Sequence, residues 1–320
     1  MSISMIGIDH SKASVDIRAK FSFTKKRAIE AMKKLKEEHG ILGCIILSTC
    51  NRMEVWVSTQ DDEEISLYDF LCKEKEVEKD EYQDYFMKRE NEEAVRHLFY
   101  LTSGLKSQIL AEDQIITQVK DALTLARDAY CTDNVLEVLF RMAVTAAKKV
   151  KTEVTFSRAN TSVIHQAMER LKNQGFSFEG KTCMVIGNGE MGKVTALALK
   201  EAGADVTVTV RQYRSGVVNI PQGCKRINYG ERMELLPDCD LVVSATASPN
   251  YTLTKENFEE IKLDAASVVL IDLAVPRDID PEVGKLQNVS LYDIDSFRID
   301  AASPKLQASM QKAGEILDDQ

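Results

Sequence analysis

The chain has 320 residues, of which 44% are hydrophobic and 28% charged, a composition typical of a globular protein and unlike that of a disordered or fibrous one. At about 150 residues per domain, this length favours two domains. The formal net charge of −9 argues against a general duplex-DNA binder, so a nucleic-acid partner would need a local basic patch. The apolar runs are too short for a transmembrane helix, and the first residues lack a basic signal-peptide region. We therefore expect a cytoplasmic protein with no membrane partner.

The seven cysteines are odd in number, and no pair has CxxC spacing. Without a secretion signal, this pattern favours neither a disulfide framework nor a zinc site. We expect reduced and mostly buried thiols, with Cys44 and Cys183 in the core, and no metal site.

The first half of the chain mixes short strands with amphipathic helices. Strands are predicted at 2–8, 41–47 and 54–58. Helices are predicted at 24–39, 92–102, 107–130 and 134–152. The acidic segment 61–93 is predicted to form solvated helices and turns.

From about residue 180, apolar strands alternate with helices, a pattern typical of a parallel sheet covered on both faces. Strands are predicted at 182–186, 205–210, 241–245, 267–272 and 289–292, with helices at 165–175 and 190–202. The predicted fold is α/β overall: an α+β catalytic domain (1–155) followed by a Rossmann-type doubly wound nucleotide-binding domain (156–298). Segment 299–320 is predicted to be a short helical tail.

A glycine-rich motif follows the strand at 182–186. It has the GxGxxG pattern of a dinucleotide-binding turn and consists of Gly187, Asn188, Gly189, Glu190, Met191 and Gly192. The first glycine allows the tight turn, the second admits a pyrophosphate and the third lets the helix approach the strand. The alternative, a glycine turn without a ligand, remains open at this point.

The end of the next strand carries Arg211 and then Arg214, where an NAD site usually has an acid. Cations at this position suit a 2′-phosphate, so the sequence favours NADP(H) over NAD(H). Two solvated arginines in a loop are the alternative.

Cys50 differs from the other cysteines because it follows an apolar strand in a polar loop, Ser48–Arg52. Arg52, two residues away, would favour the thiolate. A reactive thiol beside a nicotinamide domain indicates thioester chemistry, in which an acyl-enzyme is reduced to an aldehyde. A structural loop thiol is the alternative interpretation.

These motifs resemble the glutamyl-tRNA reductase family. Residues 46–54 (ILSTCNRME) resemble its catalytic loop, and residues 7–10 (GIDH) its first motif. Residues 103–107, 111–115 and 118–120 resemble its substrate-pocket segment. Residues 187–192, 243–246, 271–280 and 291–295 resemble its later signatures, in the family's order.

The resemblance implies that NADPH reduces glutamyl-tRNA(Glu) to glutamate-1-semialdehyde, the first step toward 5-aminolevulinate and tetrapyrroles. Cys50 would be the nucleophile, and His97 falls at the family's important histidine, although a helical histidine beside Leu98 is also typical of a packed residue. Arg52 would pair with the glutamate carboxylate. The implied substrate-binding residues are Thr49, Asn51, Arg52, Ser107, Glu112, Asp113, Gln114 and Gln118.

Family members continue into a long helix and a dimerisation domain, whereas this sequence ends about where that helix begins. We therefore expect a monomer or weak dimer, with an alternative in which the tail packs on its own nucleotide domain. Glutamate-1-semialdehyde aminomutase is a further expected partner. Two other functions remain: a short paralogue that binds tRNA or a partner with little turnover, and a shikimate-type dehydrogenase, which would leave Cys50 unexplained.

Overall fold

The computed structural model describes residues 1–60, 65–107, 114–154, 162–211, 220–261, 267–297 and 304–320. Contacts between Cα atoms divide the chain into two units. Unit 1 consists of Met1–Thr161 together with Arg298–Gln320, and unit 2 consists of Ser162–Phe297. The boundary between the first and second domains was predicted at 155/156, and the boundary between the two units lies at 161/162.

Unit 1 combines one sheet with helices. Its strands are β1 (Ser2–Asp9), β2 (Gly43–Ser48), β3 (Arg52–Thr59) and β4 (Met87–Glu90). Its helices up to residue 154 are α1 (Val15–Phe21), α2 (Lys25–His39), α3 (Leu67–Lys75), α4 (Lys79–Tyr82), α5 (Asn91–Thr102), α6 (Gln114–Asp128) and α7 (Asn134–Glu153). Helix α2 begins after Thr24, whose side chain accepts the Arg27 N–H, and ends at Gly40 in the left-handed conformation.

The sheet of unit 1 has the order β2-β3-β1-β4, with antiparallel neighbours. In the pairing of β1 with β3, Gly7 lies opposite Glu54, and Asp9 lies opposite Arg52. Because side chains alternate between the faces of a strand, Arg52, Glu54 and Trp56 share one face of β3. The register therefore places charged side chains of two strands together inside a largely apolar unit.

Segment 61–93 differs most from the sequence prediction. Its first four residues lie outside the described part. Helix α3 buries Leu67, Phe70 and Leu71, and β4 forms an edge of the sheet. The prediction of a solvated segment is wrong here because apolar residues at helical spacing lie among the acids. Helix α1 and strand β4, both short, were also not predicted.

Unit 2 is a doubly wound α/β domain. Its strands are β5 (Thr182–Ile186), β6 (Asp205–Val210), β7 (Lys225–Asn228), β8 (Leu241–Ser244), β9 (Val268–Asp272) and β10 (Val289–Asp293). Its helices are α8 (Val163–Asn173), α9 (Glu190–Glu201), α10 (Arg232–Leu235) and α11 (Lys255–Ile261).

The sheet of unit 2 has six parallel strands in the order β10-β9-β8-β5-β6-β7. This order reverses direction between β5 and β8, and ligands of such sheets bind at the carboxyl ends of the strands around that point. The predicted α/β class is confirmed. Strand β7 was not predicted, because it is short and begins with two exposed charged residues, Lys225 and Arg226.

The C-terminal helix, α12 (Pro304–Asp318), packs against α5 and α7 of unit 1. It buries Ala313 and Leu317, and its Asp318 Oδ2 atom lies 2.8 Å from Arg96 Nη2. The tail is therefore not a separate segment, and the alternative that it packs on the nucleotide domain is wrong. The apolar face of α12 packs on α5 and α7, and the sequence of the tail alone does not indicate which helices it covers.

Within the described ranges, no helix has both the length and the apolar character needed to cross a membrane. The same ranges contain no group of three His, Cys, Asp or Glu side chains that could hold a metal ion.

Candidate active site

The loop between β2 and β3 is a tight turn organised by Thr49. The Thr49 Oγ1 atom accepts hydrogen bonds from the backbone N–H groups of Asn51 and Arg52, each at 3.2 Å. The Thr49 N–H donates to the Arg52 carbonyl at 2.8 Å, and Arg18 Nε donates to the Cys50 carbonyl at 3.3 Å. These bonds hold Cys50, which is partly exposed, within the turn.

The other cysteines lie in different surroundings. Five are buried: Cys44, Cys72, Cys131, Cys183 and Cys239. This confirms the prediction that Cys44 and Cys183 belong to the core, where burial raises the pKa of both thiols and brings that of Cys183 to about 12. Cys224 is partly exposed, and burial also raises the pKa of its thiol. Cys50 therefore differs from the five buried cysteines in being partly exposed, and it lies in a hydrogen-bonded turn.

Arg52 is buried, with 2% of its surface exposed. Its Nη1 atom lies 3.0 Å from Glu54 Oε1 and 3.7 Å from Asp9 Oδ2, and its Nη2 atom donates to the Lys106 carbonyl. Burial opposes ionisation of Asp9, yet the Ser11 hydrogen bond and the Arg52 charge hold its pKa below the ordinary value. The guanidinium is thus oriented by two carboxylates at Nη1 and by a backbone carbonyl at Nη2.

Glu54 connects Arg52 to His97 of α5. Glu54 Oε1 lies 2.9 Å from His97 Nε2, and Glu54 Oε2 accepts from Trp56 Nε1 at 3.1 Å. Glu54 and His97 are 1% and 5% exposed. Burial opposes ionisation of Glu54, but the charge and hydrogen bond of His97, and then those of Arg52, lower its pKa to about 2. A buried ionic network therefore runs from the end of the Cys50 turn to α5.

The remaining predicted substrate residues lie at the start of α6 or before it. Ser107 is partly buried at the end of the turn that follows α5. Gln114 and Gln118 are partly buried and, four residues apart, share one face of α6. Glu112 and Asp113 lie outside the described residues.

The glycine-rich turn follows β5 and leads into α9. Gly187 has a φ angle of +109°, and a Cβ atom there would come within 2.6 Å of the Ala245 carbonyl oxygen. A Cβ atom at Gly192 would overlap the Gly187 carbonyl oxygen, whereas one at Gly189 would have no atom within 4 Å. The N-terminus of α9 has no side-chain cap. Open space at Gly189 and uncapped N–H groups suit a phosphate group.

Arg211, the residue directly after β6, is exposed, and its Cζ atom lies 4.7 Å from the centre of the Tyr229 ring. The Arg232 Cζ atom lies 4.0 Å from the same ring centre. Arg214 falls outside the described residues. Two cations, Arg211 and Arg232, thus lie over the Tyr229 ring near the carboxyl ends of β6 and β7. Of these two arginines, only Arg211 was predicted from the sequence as a cofactor-binding residue. Of the other predicted cofactor residues, Asn188 and Met191 are partly buried.

Two buried aspartates lie at the carboxyl ends of β8 and β9. Asp278 accepts from Ser244 Oγ at 2.7 Å and from Thr246 N at 2.8 Å. Asp272 Oδ2 accepts the N–H groups of Asp278 and Ile279 at 3.0 and 2.9 Å. Burial raises the pKa of Asp278 and raises that of Asp272 to about 7. This network holds the segment after β9 against the end of β8.

Relatives of this chain identify its family. A glutamyl-tRNA reductase from Acetivibrio thermocellus is 42% identical over 318 residues, covering 99% of this chain and 94% of the relative. The chain belongs to the glutamyl-tRNA reductase family. Another family member, from Alkaliphilus oremlandii, is 41% identical and covers 95% of this chain and 90% of its own.

Domain profiles and a solved structure agree with this family assignment. A profile described as the N-terminal domain of glutamyl-tRNA(Glu) reductase matches residues 6–154, and one described as shikimate/quinate 5-dehydrogenase matches residues 169–299. The solved glutamyl-tRNA reductase from Methanopyrus kandleri is 29% identical with a TM-score of 0.52, covering 99% of this chain and 78% of its own. The similarity to shikimate dehydrogenases thus concerns the dehydrogenase-type second unit, while the family relationship extends over both units.

Sequence reasoning did not single out Glu54, Asp9 or Trp56 as site residues. Their signal was a pair of oppositely charged residues, Arg52 and Glu54, at alternate positions of a strand whose neighbours are apolar. Such a pair must lie on one face of the sheet and needs partners when buried.

Proposed function

We propose that this chain is an NADPH-dependent glutamyl-tRNA reductase that forms glutamate-1-semialdehyde through a thioester on Cys50. The observation that carries the proposal is the Cys50 turn, in which Cys50 is partly exposed and which leads directly into the buried Arg52–Glu54–His97 network. Relatives named glutamyl-tRNA reductase, matched over nine-tenths or more of both chains, support it.

The thiolate of Cys50 would attack the ester carbonyl that joins glutamate to the tRNA. The new carbon–sulfur bond replaces the bond to the ribose oxygen, which leaves with a proton and releases the tRNA. A bound nicotinamide would supply the hydride that converts the thioester to the aldehyde and returns the thiolate. His97 is the residue we assign to proton transfer at the leaving ribose oxygen.

Arg52 is proposed to bind the side-chain carboxylate of the glutamyl group. Its Nη1 atom already faces Glu54 and Asp9, and one N–H of Nη2 donates to the Lys106 carbonyl, so a substrate carboxylate would approach the Nε–H and the second N–H of Nη2. A guanidinium can bind a carboxylate through two parallel N–H groups, which specifies both charge and orientation. Thr49, Asn51, Ser107, Glu112, Asp113, Gln114 and Gln118 are proposed as the surrounding substrate contacts.

The residues of unit 2 fit a dinucleotide phosphate. The turn from Gly187 to Gly192 leaves room at Gly189 and directs the uncapped N-terminus of α9 to the pyrophosphate. Arg211, placed at the end of β6 where an acid would select NAD, is proposed to bind the 2′-phosphate of NADPH. Asn188, Glu190 and Met191 would contribute backbone to the same turn.

The partners we propose are glutamyl-tRNA(Glu) as substrate and glutamate-1-semialdehyde aminomutase as the acceptor of the product. A free α-amino aldehyde reacts readily with amines, so direct transfer to an aminomutase would protect it. The deciding observation for this second partner is a complex of the two purified proteins in sedimentation.

The test of the proposed function is a reductase assay with purified protein, glutamyl-tRNA(Glu) and NADPH. We expect semialdehyde formation with charged tRNA, and none with free glutamate or with shikimate and NADP⁺. Labelled glutamate should become attached to the protein when NADPH is omitted, and Cys50→Ser should prevent that attachment. Binding of tRNA without aldehyde formation would instead support the weakly active paralogue, and oxidation of shikimate would support the dehydrogenase.

A further inference from the structure

Glu54 is a buried acid in the middle of the polar network of unit 1. One of its oxygens, Oε1, contacts both His97 Nε2 at 2.9 Å and Arg52 Nη1 at 3.0 Å. The other oxygen, Oε2, accepts the Trp56 indole N–H at 3.1 Å. Glu54 therefore faces three potential donors and is almost fully buried.

The chemistry of these partners determines which nitrogen of His97 carries a proton. Arg52 and Trp56 are donors only, and both are directed at Glu54, so its carboxylate is satisfied as an ionised acceptor. An ionised carboxylate cannot donate to His97, so the Nε2 atom of the imidazole must be the donor.

The position of the imidazole ring is also restricted. The His97 ring stacks on Trp56, with ring centres 6.1 Å apart and planes inclined by 21°. His97 Nδ1 is buried and has no hydrogen-bond partner within the described ranges of the chain. A buried polar atom without a partner costs about 1–3 kcal/mol, so such an atom is expected where a ligand or a reacting group supplies the partner.

We propose that Glu54 is a positioning residue of the active site that fixes the proton of His97 on Nε2 and leaves Nδ1 as the nitrogen that exchanges a proton with the substrate. This inference rests on the proposed reductase function for its catalytic consequence. The arrangement follows the logic of a catalytic triad, in which a buried acid selects the tautomer and orientation of the histidine.

The same carboxylate links the histidine to the proposed substrate-binding arginine. Because Oε1 contacts both His97 and Arg52, a change at Glu54 alters the proton-transferring nitrogen and the guanidinium together. Asp9 also faces Arg52, with Asp9 Oδ2 3.7 Å from Arg52 Nη1. In a Glu54 variant, this carboxylate would still pair with the positive charge of Arg52. We therefore expect a larger effect on kcat, through His97, than on KM, where Asp9 still orients Arg52.

The first experiment determines the tautomer directly on the unmodified protein. The chain has four histidines, so ¹⁵N-histidine labelling gives few signals, and His97→Asn identifies the one that disappears. At a pH where the imidazole is neutral, we expect a protonated Nε2 and an unprotonated Nδ1. A protonated Nδ1 with an unprotonated Nε2 would overturn the proposal, whether or not the protein is a reductase.

The second experiment measures the catalytic consequence with Glu54→Gln. The amide cannot accept from Arg52, Trp56 and His97 together, so His97 loses its fixed tautomer, and we expect kcat to fall by about 100-fold. Glu90→Gln is the matched control, because Glu90 is a strand residue of the same sheet with a 55% exposed side chain. It should retain activity within about 2-fold.

A double-mutant cycle separates positioning from general destabilisation. If Glu54 acts through His97, Glu54→Gln should lower kcat by less than about 3-fold in a His97→Asn background. Independent losses of about 100-fold in both backgrounds would overturn the proposal. If the wild-type protein does not reduce glutamyl-tRNA, the proposed function fails while the histidine spectrum still tests the tautomer.

Discussion

Gly7 lies directly opposite Glu54 in the antiparallel pairing of β1 with β3, and a Cβ atom at Gly7 would come within 2.7 Å of Glu54 Cγ. Because Gly7 has no side chain, β1 leaves the space that the buried Glu54 side chain of β3 occupies. The Met53 carbonyl oxygen, at 3.0 Å from the same Cβ position, leaves no room on the other side.

Gly7→Ala should therefore displace Glu54 and lower both stability and reductase activity. Overpacking of this kind costs about 1–3 kcal/mol, measurable by urea unfolding. Gly230→Ala is the control, because a Cβ atom there would have no neighbour within 4 Å. Equal stability of the two variants would show that Glu54 can move without cost.

Cys50→Ser should reduce reductase activity by about 1,000-fold or more, because a serine hydroxyl does not provide a thiolate and its ester is a poor hydride acceptor. NADPH binding, followed by fluorescence titration, should be unchanged because the residues proposed to bind the cofactor belong to unit 2. Cys224→Ser serves as the control, since Cys224 is also partly exposed and should be dispensable. Wild-type turnover in Cys50→Ser would exclude the thioester.

Arg211→Asp should shift the ratio of kcat/KM for NADPH over NADH toward NADH by about 10-fold or more. The new carboxylate would repel a 2′-phosphate and accept from a 2′-hydroxyl. Arg226→Asp makes the same charge change at an exposed position of neighbouring β7 and should leave the ratio unchanged. An unaltered ratio in Arg211→Asp would assign the phosphate to another residue, with Arg232 as the next candidate.

The ionised state of Glu54 should stabilise unit 1 in a pH-dependent way. Its pKa is about 2 in the folded chain against an ordinary 4.5, so the unfolded state binds more protons between these values. The stabilisation, about 3 kcal/mol, is present above pH 4.5 and is lost as the pH falls toward 2. In urea unfolding, the stability difference between wild type and Glu54→Gln should shrink as the pH falls below 4.5. A difference that stays constant with pH would contradict the assignment.

The tail helix should stabilise a monomer. Leu317 is buried against unit 1, so Leu317→Ala should lower stability by about 2 kcal/mol, whereas Glu315→Ala, at an exposed position, should change it by less than about 0.5 kcal/mol. Sedimentation over a range of concentrations should show a monomer or weak dimer. A dimer that persists at nanomolar protein would instead reveal a large interface on another surface.

The elements that the sequence predicted well are those determined by neighbouring residues. The strand at 182–186, the turn from Gly187 to Gly192 and the helix after it follow from an apolar run, glycine spacing and helical periodicity, all of which act over a few residues. The Cys50 turn was equally accessible, because two apolar strands border a short polar loop. These local features were sufficient to predict the α/β class and the motifs that resemble the family.

The features that the sequence did not reveal depend on residues far apart in the chain. Glu54 and His97 are separated by 43 positions, and Arg96 and Asp318 by 222. No local preference indicates that the tail covers α5 and α7, or that Arg52 faces Asp9 as well as Glu54. Those choices depend on which faces meet when the sheet and helices pack, since a buried charge is tolerated only where the fold brings it a partner.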